Sequence, residues 1–583
     1  MFRVSDRLAL LASCLLPLHA FGAEVQSLAE LAAVKPVMEC AALKESTVPL
    51  PGGVRARIAS AESVNGEAAA YCRVRGTIAS AIGFEAQLPS ANWSQRYLQI
   101  GCGGLCGSIQ LRVNNAAGCV PAESGTLALA STDMGHQGSM GEGTFGNDPQ
   151  ARIDFAYRGV HLTAVAVKLI IRKFYGQAAR YSYFSGCSDG GREALMEAQR
   201  FPEDFDGIAA GAPAMNFQVQ NTFYHAWQAL SNTGPDGRAI LTAERLPLLH
   251  RAAVASCDEI DGLKDGQITD PRQCKFDPAS LQCPTAKAGE ACLTASEVAA
   301  ATALYRGAHT ADAERLVIGG PQVGSELSWA GVFVPQRADE PIFSSMAALS
   351  VLRYVAFETN STTFSLSDLK FDRETFERLR PLHALYDATD PNLGPFARHG
   401  KLILWHGWSD PHISPINTIA YFEAMQQELG ASQTDAFARL FLFPGMYHCS
   451  GGDGPSQFDV LTPLMRWVER GNAPAEIVAG RTIGTQTPTG RPRTADGPRP
   501  AIVKSSPVDR TRPIYPYPAV ASYRGSGSLE EAGSFASRPG SKGPAQYDWV
   551  GRTFMTPGFH RSCVAQSDKQ SGKLECPADG SRR

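Results

Sequence analysis

The pentapeptide Gly186-Cys187-Ser188-Asp189-Gly190 is the only Gly-x-Ser-x-Gly in the chain, and it constrains the fold more than any other stretch. Upstream, residues 180–185 have the aromatic-rich composition of a buried strand, and downstream residues 191–198 are helix formers. Strand, sharp turn and helix in that order describe a nucleophile elbow. In such a turn a strained serine lifts its hydroxyl above the sheet, and the flanking glycines let strand and helix approach.

Arg3 and Arg7 precede an apolar run from Leu8 to Leu18, and Ala20-Phe21-Gly22 offers small residues for cleavage. Residues 1–22 therefore read as a secretory signal peptide, and the mature chain as secreted or periplasmic. No later apolar run reaches the roughly 20 residues of a membrane span. With 54 basic and 57 acidic residues and a formal charge of −3, the chain has no electrostatic footprint for nucleic acid or an anionic membrane. A small molecule is the expected partner. Of the 14 cysteines, one falls in the signal peptide, and no Cys-x-x-Cys pairs with a second. Disulfides in an oxidising compartment explain them better than a metal, and the odd number that remains leaves one thiol free.

Tyr97-Leu98-Gln99-Ile100 reads as an early strand that runs into the glycine-rich turn Gly101–Gly107, where a second oxyanion-hole amide belongs. Ser131–His136 carries an aspartate and a histidine but reads as structural. Residues 151–174 have helical spacing and end just before the elbow strand. Residues 205–213 read as the next strand and its exit loop. From residue 215 to residue 395 the alternation of strand and helix fades into loop-rich, cysteine-containing sequence, which predicts a lid domain inserted above the sheet. Residues 23–214 and 396–535 would then form one catalytic domain, and 536–583 a tail rich in Gly, Ser and Lys.

Within the insertion, Asp258, Asp261 and Asp265 stand close in sequence to Gly262 and Gly266, and Cys257 and Cys274 flank the loop. Their carboxylates, with the carbonyls of Leu263 and Gln267, are the hard oxygens that suit calcium, and a Cys257–Cys274 bridge would close the loop. The spacing is not that of an EF-hand, and from spacing alone a solvated acidic turn is the stronger reading.

The strand pattern resumes at residues 401–405 and ends in His406-Gly407-Trp408-Ser409-Asp410, and a second apolar run, residues 440–443, leads to Tyr447-His448-Cys449. Ser188, Asp410, His448 is the nucleophile, acid, base order of an α/β-hydrolase core. His406 and His412 are rivals for the base and Asp453 for the acid, but neither histidine follows the strand after the acid.

Together, Cys187-Ser188, Asp410 and His448-Cys449 resemble the signature of the tannase and feruloyl esterase family, which also contains the mono(2-hydroxyethyl) terephthalate hydrolases. The resemblance runs from about Cys40 to Phe535 and includes the aspartate loop, Phe443-Pro444-Gly445-Met446, and Arg512-Pro513 with Tyr515-Pro516-Tyr517-Pro518. It implies an α/β-hydrolase core with a lid and an oxyanion hole from the amides of Gly104 and Asp189. It also implies a structural calcium at Asp258, Asp261, Leu263, Asp265 and Gln267. Cys40, Cys72, Cys283 and Cys292 are counted among the bridged cysteines. The chain departs from better-known members in its Cys102, Cys106 and Cys119 cluster and in its tail, so the pairing of those three and of Cys563 and Cys576 stays open.

The resulting expectation is a secreted serine esterase acting on esters of aromatic, phenolic acids. The alternatives are a terephthalate monoester hydrolase and a non-catalytic binding protein on a hydrolase scaffold. Trp329, Phe333, Arg337, Phe343, Arg353 and Tyr354 are candidate substrate contacts in the lid. A working triad brings Ser188 and His448 within about 3 Å. The cysteines beside them then fall within the Cα separation of about 4.4–6.8 Å that a disulfide needs, so Cys187 and Cys449 are expected to be bonded.

Overall fold

The computed structural model describes residues 27–79, 81–284, 291–483, 506–544, 547–558, 563–565 and 574–575. The expected signal peptide and Cys576 lie outside them. Ten strands form one sheet: β1 Thr47–Pro49, β2 Arg55–Asn65, β3 Ala70–Ile78, β4 Ile82–Pro89, β5 Arg96–Ile100, β6 Ala128–Thr132, β7 Tyr181–Cys187, β8 Gly207–Gly211, β9 Lys401–Gly407 and β10 Ala438–Phe443. Their order is β1-β2-β3-β4-β6-β5-β7-β8-β9-β10. From β6 to β10 every neighbouring pair is parallel, whereas β1 to β4 form an antiparallel extension joined to β6.

β5, β6 and β8 are buried along their whole length, as a parallel sheet covered on both faces requires, and the polar Gln99 within β5 is bonded to Tyr97 and to Val160 O. Alternate residues enter two separate cores: Tyr97, Phe184, Ile208 and Leu404 face one, Leu98, Tyr183, Ala209 and Trp405 the other. Helices Gly159–Tyr175, Asp189–Arg200 and Pro415–Leu429 supply the first core, and helix Leu461–Arg470 the second. Truncating a fully buried member such as Leu402 to alanine should cost about 2–5 kcal/mol. β6 and β7 flank β5 on opposite sides, so the chain reverses direction across the sheet there. In open parallel sheets the crevice beyond the strand carboxyl ends at such a reversal is where ligands bind.

The helix expected over 151–174 is present but not uniform. It runs as an α-helical turn Pro149–Ile153, a π-helical turn Asp154–Arg158 and an α-helix Gly159–Tyr175. The wider turn gives a use to carbonyls an α-helix would consume: Arg192 of the elbow helix donates to Ala156 O at 2.8 Å and Phe155 O at 3.1 Å.

Residues 212–400, between β8 and β9, add no strand to the sheet. They carry a core of their own, built from Leu246, Leu249, Leu304, Trp329 and Phe333. Trp329 and Phe333 are therefore interior residues of the insertion rather than surface contacts. The tail is anchored through residue 558: Phe554 stacks on Phe376 at 5.3 Å and on His383 at 3.5 Å, and Trp549 is buried beside them.

Candidate active site

β7 delivers Ser188 to the start of helix Asp189–Arg200 with φ 66° and ψ −121°, a conformation that costs a non-glycine residue of order 1–3 kcal/mol. Backbone bonds hold it there, from the Ser188 amide to Gly211 O and from the Ala214 amide to Ser188 O, each 3.0 Å. Gly186 and Gly191 are obligatory at this turn. A Cβ on either would stand 2.3 Å from Gly190 O or 2.4 Å from Gly211 O.

Asp410 leaves the end of β9 and is fully buried. Its Oδ1 accepts from the amides of His412 at 2.8 Å and Ile413 at 3.0 Å, and its Oδ2 bonds His448 Nδ1 at 2.7 Å. Burial alone would raise its pKa, but the charge and hydrogen bonds of His448 and His406 outweigh it and hold the carboxyl far below the usual range. Asp410 is thus an ionised orienting group. With Nδ1 committed to it, His448 has Nε2 left for the elbow. No hydrogen bond joins Nε2 to Ser188 Oγ among the described residues, and such catalytic contacts tighten when substrate enters.

Of the rival bases, His406 is fully buried, with Nδ1 on Thr418 Oγ1 at 2.8 Å and Nε2 on Asp410 Oδ2 at 3.1 Å, so it supports the acid instead of replacing the base. The His412 ring lies 4.9 Å from that of His448 and forms a wall of the site with His225 and Phe343. Burial, reinforced by His448, pushes His225 down to about 4 and His412 well below the usual histidine range, so both rings are neutral at pH 7. His225 carried no local signal in the sequence. Asp453 receives the Tyr447 hydroxyl at 3.0 Å and does not reach His448.

Cys187 and Cys449 are bonded, with 5.9 Å between their Cα atoms. Disulfides also join Cys40 to Cys72, Cys102 to Cys106, Cys257 to Cys274 and Cys283 to Cys292. Cys563 is bridged as well, and Cys119 is a buried free thiol whose pKa burial raises to about 12. The loop Gly101–Gly107 lies across the start of the elbow helix, where a Cβ on Gly190 would stand 2.8 Å from Cys102 O. Neither the Gly104 nor the Asp189 amide donates to a backbone acceptor among the described residues. The Asp189 side chain is turned away into an ion pair with Arg192, Nε to Oδ1 2.6 Å.

In the aspartate loop, Asp258 Oδ1 accepts from the amides of Asp265, Gly266 and Gln267. Asp261, Leu263, Asp265 and Gln267 line one cavity. The carbonyls of Leu263 and Gln267 accept no hydrogen bond among the described residues. Asp265 Oδ2 meets Arg512 at 2.6 Å. Among the described residues the three carboxylates do not converge within 4.8 Å of one another. The donors are nonetheless the hard oxygens that calcium takes, and four of the five residues share one cavity.

Of the other insertion residues considered for substrate, Arg337 is exposed and paired with Glu340, and Arg353 is bonded to Phe364 O. The Tyr354 carbonyl holds buried Arg152. Phe343, 5.7 Å from His412, is the one of the six beside the site.

A family profile described as tannase and feruloyl esterase matches residues 64–538. The chain is 34% identical over 533 residues to a mono(2-hydroxyethyl) terephthalate hydrolase of Piscinibacter sakaiensis, covering 80% of this chain and 84% of that one. It is 32% identical over 442 residues to feruloyl esterase B of Aspergillus niger, covering 71% and 80%. The crystal structure of feruloyl esterase B from Aspergillus oryzae superposes with a TM-score of 0.71 at 27% identity, over 86% of this chain and all of that one. With the match spanning most of the chain, the protein belongs to the tannase and feruloyl esterase family and is a carboxylic ester hydrolase.

Proposed function

We propose that the protein is a secreted serine esterase that hydrolyses esters of aromatic, phenolic carboxylic acids through an acyl-enzyme. The observation that carries this reading is the Asp410–His448 pair, linked through Cys449 and Cys187 to the strained elbow serine. His448 takes the Ser188 proton as Oγ attacks the ester carbonyl, and returns it to the departing alcohol. Water, deprotonated by the same imidazole, then attacks the acyl-enzyme, releases the acid and restores Ser188. The Gly104 and Asp189 amides are the donors proposed for the oxyanion.

The substrate class follows from the wall beside His448. Phe343 and the rings of His412 and His225 offer aromatic faces and uncharged hydrogen-bonding groups, which suit a phenolic ring. A free carboxylate would call for a cation. The insertion acts as a lid, tied to the acid loop by Tyr224 and Gln228 side-chain bonds to Pro411 O and by Gln220 to His412 O. Calcium in the aspartate loop, held by Asp258, Asp261, Asp265 and the carbonyls of Leu263 and Gln267, would brace the lid and supply no step of the reaction. The disulfides agree with export.

The test is kcat/KM across methyl ferulate, methyl gallate and a terephthalate monoester, with fluorophosphonate labelling of wild type and Ser188→Ala. Labelling at Ser188 and preference for a phenolic ester are expected. An unlabelled wild type would leave a silent scaffold, and a preference for the terephthalate monoester would move the assignment to that class.

A further inference from the structure

Glu193 lies one turn beyond Asp189 on the elbow helix and is 1% exposed. Its Oε1 accepts from the Cys102 amide at 3.2 Å, and both sulfurs of the Cys102–Cys106 bridge lie against that oxygen. Its Oε2 accepts from no donor among the described residues and faces Gly101, where an added Cβ would stand 3.2 Å away, while the Asp189 carboxylate lies close enough to share a side-chain hydrogen bond with Glu193. Gly101 in turn sits directly on Gly190. The loop is fixed at its other end too: Leu105 donates to Met140 O at 2.7 Å, and Leu105 O bonds His136 Nε2 at 2.8 Å. Only Gly103, Gly104 and Leu105 lie inside the disulfide ring, and Gly104 sits at φ +61° with Met140 O 2.4 Å from any Cβ.

We infer that Glu193 and the Cys102–Cys106 disulfide form a clamp that sets the Gly104 amide against the Asp189 amide, which makes Glu193 a positioning residue for ester hydrolysis. The inference rests on the serine-esterase reading above. An oxyanion donor helps only when it is already in place as charge develops, and a glycine-rich loop has no side chains of its own to hold it. Glu193 bonds the loop to the helix that begins with the second donor, and the disulfide closes the loop into a small ring.

The clamp works as a neutral acid. The groups facing Glu193 are Asp189, Arg192 and Glu197 on its own helix and the Cys102 amide and the disulfide from the loop. The one guanidinium is already bound to Asp189 and to the carbonyls of Phe155 and Ala156. Burial, with the Asp189 charge added, accordingly holds the Glu193 carboxyl well above the usual range. Ionising it would place a negative charge behind the developing oxyanion.

The experiment measures kcat and KM from neutral to alkaline pH for the mature enzyme and for Glu193→Gln, Glu193→Ala and Cys102→Ala/Cys106→Ala, with fluorophosphonate titration of each. Glutamine keeps the acceptor and cannot ionise. It should retain kcat within about 3-fold and move the alkaline loss of activity upward by about one pH unit or more. The alanine variants should lose about 10- to 100-fold in kcat with KM nearly unchanged. Wild-type kcat in Glu193→Ala, equal impairment of the glutamine and alanine variants, or an unmoved alkaline limb in Glu193→Gln would overturn the clamp. If Glu193→Ala does not fold, the glutamine pH profile decides. A wild type that fails to label sinks the esterase reading instead.

Discussion

His448 and His406 share one oxygen of Asp410: Nδ1 of the first and Nε2 of the second lie 2.7 and 3.1 Å from Oδ2. The acid is therefore fixed from the interior side by one imidazole while it orients the other. Asp410→Asn should lower kcat about 10⁴-fold by favouring the wrong tautomer of His448. His406→Phe, which also strips a partner from Thr418, should lower kcat about 10-fold with little change in KM. Steady-state kinetics on a phenolic ester checks both, and wild-type turnover in His406→Phe would show that Asp410 needs no second support.

The Cys187–Cys449 bridge should matter more to geometry than to stability. It closes a span of 262 residues, for which chain entropy gives an upper figure of about 5 kcal/mol, and measured bridges usually deliver less. A histidine loop free to drift by about 1 Å can cost on the order of 100-fold in rate. Replacing both cysteines by alanine should thus reduce kcat more than it raises KM. Peptide mapping without reduction should recover the two cysteines linked, and unlinked peptides would remove the basis for the effect.

Acid should weaken the fold at the catalytic wall. His225 bonds Ser344 Oγ at 3.0 Å, and burial lowers its imidazole to about 4, below the unfolded value of about 6.5. A depressed value means the contribution is complete above about pH 6.5 and is lost as pH falls towards 4. At about 1.4 kcal/mol per pH unit the full effect is roughly 3 kcal/mol. His225→Gln should therefore show a smaller drop in Tm between neutral and acidic buffer than the wild type does. An equal drop would place the acid sensitivity elsewhere.

If the aspartate loop holds the proposed calcium, chelation should lower Tm and leave kcat of the saturated enzyme intact, because among the described residues none of the loop's carboxylates bonds Ser188, Asp410 or His448. Arg510 and Arg512, which face Asp265, would then lack the ion's opposition, and their pairing with it should tighten. Elemental analysis showing no calcium together with an unchanged melting curve would make the loop an acidic turn.

β9 and β10 are legible because buried parallel strands leave apolar runs such as Leu402–Trp405 and Leu440–Phe443, and the elbow because Gly186 and Gly191 have no alternative at that turn. The π-helical turn at Asp154–Arg158 is not, since it answers to Arg192, which arrives from another helix. Glu193 looked like any helix-forming glutamate, because its partner Cys102 stands 91 residues earlier. Aromatic composition likewise did not tell Phe343, at the site, from Trp329 and Phe333, which fill the core of the insertion. The Gly-, Ser- and Lys-rich composition of the tail gives no sign that Trp549 and Phe554 are held by an aromatic cluster on helix Arg373–Tyr386.

The Cys187–Cys449 bond also turns the middle of the protein into a covalent circle. Ser188, Asp410, His448 and the whole stretch between β8 and β9 lie inside it, so one peptide-bond cut anywhere on that circle opens the ring without separating any of the three residues from the others. A protease that nicks the long insertion would produce a molecule that splits only after reduction, with serine and histidine still tethered side by side. Survival of the site therefore does not depend on an intact backbone.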